Sequence, residues 1–143
     1  MTHTPEASAA SQSPEPPGGP ARPGLSIGMI TVDTVDARAL AAWWAERFGA
    51  TVTDDFDGWF CSVTGGSLSL TLGFQRVEEP TPGKNRVHLD LALPLSGPSR
   101  AETVAAFVAA GATVHDTVAM PEFGWTVLAD PDGNLFCVGD PST

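Results

Sequence analysis

The chain has 143 residues, enough for one domain with a real core, and carries a formal charge of −10 from 7 basic and 17 acidic residues. That balance argues against nucleic acid or an anionic membrane surface as partner, and no apolar run approaches the roughly 20 residues that span a bilayer. Two cysteines, Cys61 and Cys137, make no disulfide framework and read as reduced thiols of a cytoplasmic protein.

Residues 1–24 hold six of the 13 prolines among Ser, Ala, Thr and Gly, without the basic start and apolar stretch of a secretory signal. They are expected to form a disordered polar tail, leaving 25–140 as the folded domain. A strand is predicted over 26–33, with Ile30 and Val32 on one side and Met29 and Thr31 on the other. Asp36 suits a helix N-cap; Leu40, Trp43, Trp44 and Phe48 follow at helical spacing, and Gly49 suits the residue just past the helix. Strands are predicted at 50–54, 58–64 and 67–77, separated by an acidic turn around Asp55 and by Gly65-Gly66. A strand over 86–93 and a capping box at Ser99 and Glu102 follow. The helix they open buries Val104, Phe107 and Val108 and ends at Gly111. Strands near 112–118, 124–129 and 134–138 close the chain, the last two joined by a tight turn at Asp130-Pro131-Asp132-Gly133.

The order strand–helix–strand–strand–strand therefore occurs twice, at about 25–79 and 85–140. Short identities keep one register between the copies. Phe48-Gly49-Ala50-Thr51-Val52 returns as Ala110-Gly111-Ala112-Thr113-Val114, 62 positions on, and Phe74-Gln75 returns at the same offset as Phe136-Cys137. A duplicated unit places its sheet faces symmetrically, and a cleft between two sheets is where a ligand would sit.

Alternation along the strands sorts the candidate site residues. Leu68, Leu70, Leu72 and Phe74 share the helix-facing side, which leaves Gln75 with Ser69, Thr71 and Gly73 on the other. Val87, Leu89, Leu91 and Leu93 face the helix, leaving Arg86, His88 and Asp90 opposite; Phe136 and Val138 point inward, so Cys137 points away. Met29, Gln75, His88 and Cys137 thus fall on the faces away from the helices. Trp59 and Trp125 hold similar places in the two units, either as edge-covering apolar residues or as aromatic walls for a ligand. Arg86 shares parity with His88 and could reach an acidic ligand, and Asp90, two residues on, could orient the imidazole. Without a nearby cation or helix N-terminus, Cys137 reads as a small packing residue rather than a nucleophile.

The helix end Ala41-Ala42-Trp43-Trp44-Ala45-Glu46-Arg47-Phe48-Gly49, the strand Val87-His88-Leu89-Asp90-Leu91 and the hairpin Asp130-Pro131-Asp132-Gly133-Asn134-Leu135-Phe136-Cys137 resemble motifs of the vicinal oxygen chelate superfamily. That superfamily includes glyoxalase I, bleomycin-resistance proteins and extradiol dioxygenases. Gly83 to Asp90 looks most like the small bacterial glyoxalase-like proteins. The resemblance spans 25–140. It implies an α+β fold of two tandem βαβββ modules, curled mixed sheets around a cleft with the helices outside, and a homodimer. It also implies four metal-ligand positions, which carry over to Met29, Gln75, His88 and Cys137. Only His88 and Gln75 are of the donor type that metal-dependent relatives use with divalent Fe, Mn, Ni, Zn or Mg.

The leading expectation is a protein that binds a small organic molecule in its cleft without a catalytic metal, through His88, Gln75, Trp59, Trp125, Arg86 and Asp90. A rival is a metal-dependent lyase, isomerase or dioxygenase with His88 as the candidate catalytic residue. A third is a non-catalytic interaction module whose cleft its own side chains fill.

Overall fold

The computed structural model describes residues 26–141. The segment 1–24, expected as a tail, lies outside them. Each half of the rest forms one four-stranded mixed sheet with one helix. In the first half β1 (Met29–Thr34), α1 (Ala37–Phe48), β2 (Thr51–Asp55), β3 (Phe60–Thr64) and β4 (Thr71–Arg76) give a sheet of order β1-β4-β3-β2. In the second half β5 (Leu89–Leu91), α2 (Arg100–Ala109), β6 (Thr113–Ala119), β7 (Gly124–Ala129) and β8 (Leu135–Gly139) give the order β5-β8-β7-β6. In both sheets the first strand runs parallel to the last and the remaining pairs are antiparallel. This is the paired βαβββ architecture, with no closed barrel among the described residues.

The duplication reaches into irregularities of the backbone. The ladder between β2 and β3 shifts register between Val52 and Asp54, and that between β6 and β7 between Val114 and Asp116. The offsets, 114 − 52 and 116 − 54, are both 62. Such bulges bend a strand and increase its twist, so both sheets curl at equivalent points.

Local chemistry sets the helix bounds. Asp36 accepts a hydrogen bond from the Ala39 amide, and Gly49 closes α1 in the left-handed region at φ 58°. Ser99 and Glu102 form the reciprocal capping box of α2, and Glu102 is held below the usual carboxylate range by its bonds to Ser99. Leu40, Trp44 and Ala45 of α1, Phe107 of α2, and Leu72, Phe74, Leu128, Phe136 and Val138 of the sheets then bury into a single core. Trp44 lies at its centre, with ring centroids 5.0 Å from Phe136 and 6.4 Å from Phe107. Its neighbour Trp43 donates its indole N–H to the Ala110 carbonyl at the end of α2 (2.9 Å). The helix-facing sides of both sheets therefore pack into one shared interior.

Four strands are shorter than the sequence reading: β1 and β3 by two residues each, and two others by more. The fifth was expected over 86–93 and spans only Leu89–Leu91. Ahead of it the Asn85 side chain donates to the carbonyls of Val87 and Leu135 and accepts from the Leu135 amide, doing a backbone ladder's work with a side chain. Val87, expected toward the helix, stands outside the strand and is 73% exposed. The fourth strand begins at Thr71 rather than at 67, because Ser67 and Leu68 turn back onto Phe48 and Gly65.

Candidate functional site

Strand pairing decides which side chains share a face. Asp90 lies opposite Cys137, Cys137 opposite Val127, and Trp125 opposite Gly139. These residues occupy the side of the second sheet away from α2, where they line a cavity of about 540 Å³ with Lys84, His88, Phe123 and Asp140. Within it His88 Nδ1 is 3.0 Å from Asp90 Oδ1, and the donor atoms of His88, Asp90 and Cys137 all lie within 4.8 Å of one another. One wall is aromatic, with Phe123 and Trp125 6.3 Å apart. At its far end Arg100 pairs with Asp140 (2.9 Å), which also accepts from the Gly124 amide.

A second cavity, of about 330 Å³, runs along the seam between the modules. β1 contributes Thr31, Val32 and Asp33; the segment ahead of β5 contributes Lys84, Arg86, Val87 and His88; Trp44, Phe74 and Phe136 form its apolar depth. β1 and β5 are the edge strands of their sheets, so this opening lies where two ladders end without joining. Lys84, His88 and Leu135 line both cavities.

The first sheet presents a different picture on its side away from α1. A β-carbon added at Gly73 would stand 2.6 Å from Met29 Sδ, 2.8 Å from Thr31 Oγ1 and 2.9 Å from the Phe60 ring, so these three side chains crowd over the glycine. Gln75 donates its side-chain amide to the carbonyls of Trp59 and Arg76 (3.0 and 3.2 Å). Trp59 is half exposed with the Arg76 guanidinium 4.3 Å over its ring. Of the candidate ligand-binding residues, His88, Asp90 and Trp125 meet in one cavity and Arg86 joins His88 in the other; Gln75 and Trp59 line neither. Sequence reasoning passed over Lys84, which falls between the two units, and Phe123. No pattern marks Phe123, since it stands in a bend just before β7 and reaches the cavity only because that bend folds over the sheet.

Electrostatics keep the thiols quiet. Burial raises the Cys137 thiol above its ordinary value, and the hydrogen bond and negative charge of Asp90 raise it further. Burial also raises Cys61, which is fully enclosed between α1 and the first sheet. At the seam, burial raises the Asp130 carboxyl, while donors from Asn134, Trp44 and Asp132 pull the other way.

A paired βαβββ fold, with its polar candidates on the sheet faces away from the helices, defines the glyoxalase-like class. Residues 29–139 match the glyoxalase-like domain family, and the chain belongs to that family. Among solved structures it is similar to a glyoxalase/bleomycin resistance protein/dioxygenase family enzyme from Burkholderia phytofirmans PsJN, with a TM-score of 0.61, 20% identity, and coverage of 78% of this chain and 95% of that one. Lactoylglutathione lyase from Agrobacterium tumefaciens gives a TM-score of 0.60 at 18% identity, with 82% and 95% covered. The fosfomycin resistance protein FosX from Mesorhizobium loti gives 0.61 at 13% identity, with 83% and 92% covered. At such identities the likeness is one of fold. No curated protein is significantly similar in sequence.

Metal-dependent relatives would place a divalent ion at the four positions carried here by Met29, Gln75, His88 and Cys137. These side chains do not fit a hard cation. Met29 offers a thioether that packs on Gly73 and Cys137 a thiol whose proton Asp90 helps to hold, which leaves only His88 and the Gln75 side-chain oxygen as donors of the right type. The tighter group His88, Asp90 and Cys137 has one soft and two harder donors, a set closer to the preferences of Zn(II).

Proposed function

We propose that this protein binds a small organic molecule in the cleft on either side of His88, and does so without a catalytic divalent metal. The observation that carries this reading is the position of His88: it lines both the seam cavity and the aromatic-walled cavity of the second sheet. Its Nδ1 is engaged by Asp90, which leaves Nε2 for a ligand. Both cavities fall in the range of roughly 300 to 1,000 Å³ typical of ligand sites and join apolar walls to a few polar groups. Similarity in fold to FosX, a fosfomycin resistance protein, is in keeping with a protein that handles a small molecule. We further expect a cytoplasmic homodimer, as the resemblance implies; among the described residues no helix is long and apolar enough to cross a membrane.

The test is titration of the full chain with a small-molecule library, read by indole fluorescence, with each hit recovered and analysed by mass spectrometry. Hits that quench fluorescence and return unchanged support binding; hits that return altered establish an enzyme. Elemental analysis of the freshly purified, untagged protein beside His88→Ala separates the metal readings. Near-stoichiometric Fe, Mn, Ni or Zn that vanishes in the variant would overturn the metal-free reading. The alternative of a metal-dependent lyase, isomerase or dioxygenase would then lead. The His88, Asp90 and Cys137 group is the specific observation that keeps this alternative in view.

A further inference from the structure

The described cations divide into two groups. Arg38 pairs with Asp55 and Asp57, Arg47 with Glu46, and Arg100 with Asp140, while Arg76 lies over Trp59. Among the described residues, only Lys84 and Arg86 neither form an ion pair within 4.0 Å nor rest on an aromatic ring. Both line the seam cavity. In a chain with 17 acidic residues, an unengaged cation is the exception, and two at one opening keep an unused attraction for a negative group.

The rest of the lining narrows the ligand. The depth is apolar and aromatic, with Phe74 and Phe136 each 1% exposed and Trp44 3%. Two of the polar side chains there are already engaged. Asp130 accepts from Trp44, Asp132 and Asn134, and the Asn85 side chain is occupied by Val87 and Leu135. Asp33 stands exposed on the same lining. Asp33 and Asp130 on the same lining offset the two cations, so the opening suits a single negative charge better than a doubly charged head such as a phosphate monoester.

We propose that the seam cavity takes a small monocarboxylate with an apolar body, its head at Lys84 and Arg86 and its body against Trp44, Phe74 and Phe136. This rests on the reading of the cleft as a small-molecule site and names the class of ligand. Arg86 can grip a carboxylate through two parallel N–H donors, and Lys84 adds a point charge.

The experiment compares 3-phenylpropanoate with its neutral amide on the full chain, by amide and indole chemical shifts in NMR. Wild type is set beside a Lys84→Gln/Arg86→Gln variant, whose two side chains are exposed and form no ion pair among the described residues. The carboxylate is expected to shift the Trp44 indole N–H and the Leu135 amide. The amide, and the carboxylate on the variant, are expected to bind about tenfold more weakly. Equal binding of acid and amide would overturn the charge argument while leaving a small-molecule cleft standing. Shifts confined to the Trp125 indole would likewise overturn the seam as the site. No shift with either probe would also overturn the proposal, and the library titration would then decide the cleft reading independently.

Discussion

Trp44 on α1 donates its indole N–H to Asp130 Oδ2 at 3.1 Å, tying the first module's helix to the hairpin turn of the second. Thr34, at the end of β1, donates to Asp132 in the same turn. The turn at 130–133 thus does more than reverse the chain. It is the polar clasp over the core that both modules share, and it borders the seam cavity.

Removing the donor with Trp44→Phe is expected to cost on the order of 3 kcal/mol, from the lost charge-assisted bond and the smaller ring. The loss should depend on pH. Burial raises the Asp130 carboxyl, so the folded state binds its proton more tightly than the unfolded chain does. This group's contribution to stability is therefore greatest below the unfolded carboxyl range and declines as pH rises through the folded value. Trp44 opposes that decline by favouring the charged form. The deficit of Trp44→Phe should be larger at pH 7 than at pH 4, measured as urea midpoints of both proteins at each pH. An equal deficit at both would mean that Asp130 does not feel the indole.

Cys137 offers a check on the second sheet's cavity. Its thiol is raised by burial and by Asp90, so alkylation by iodoacetamide at pH 8 should be slow against a free thiol and should quicken only above the ordinary cysteine range. Asp90→Asn removes the second cause and should speed labelling several-fold. Cys61, wholly enclosed and also raised, should label only on unfolding. Site-resolved mass spectrometry follows both. Labelling of Cys137 as fast as that of a free thiol would show that neither burial nor Asp90 holds its proton, and labelling faster than a free thiol would mark an activated nucleophile.

The elements governed by neighbouring residues could be read from the sequence. Asp36 and Gly49 bound α1, Ser99 and Glu102 open α2, and alternation assigned Phe74, Phe136 and Val138 to the interior, because caps and strand faces depend on residues a few positions apart. The same alternation put Cys137 and Asp90 on strand faces away from the helices, and the β5–β8 register then sets them opposite each other. What spacing could not supply were contacts set by the docking of the modules. Trp44 and Asp130 are 86 residues apart and Trp43 and Ala110 are 67 apart, and no local pattern links them. Nor could alternation foresee that Asn85 would replace ladder hydrogen bonds with its own amide, shortening β5 and turning Val87 outward. The ligand side of the site fell between these cases. His88 and Arg86 were legible as sharing a face, but Lys84 stands in a linker without periodicity and joins them only through the fold.

Gly66 tests whether the junction between α1 and the first sheet is as tight as its geometry states. It adopts φ 57°, where a side chain is disfavoured, and a β-carbon there would fall 2.2 Å from the Phe48 carbonyl oxygen and 2.6 Å from Gly49 backbone atoms. These are main-chain atoms at the end of a helix, so no rotamer change relieves the contact. Ser67 also donates to the Phe48 carbonyl through its amide and its hydroxyl, fixing the oxygen in place. Gly66→Ala should therefore cost at least about 2–3 kcal/mol, adding left-handed strain to the clash. The melting temperature should fall by roughly 5–15 °C. Gly65→Ala is the internal control: it shares a positive φ, 86°, but a β-carbon there meets nothing within 4 Å, so the backbone term acts alone. Thermal denaturation of both variants should show the Gly66 substitution to be clearly the worse. Equal losses would mean that the helix end gives way without resistance, and that the turn is not held by Phe48.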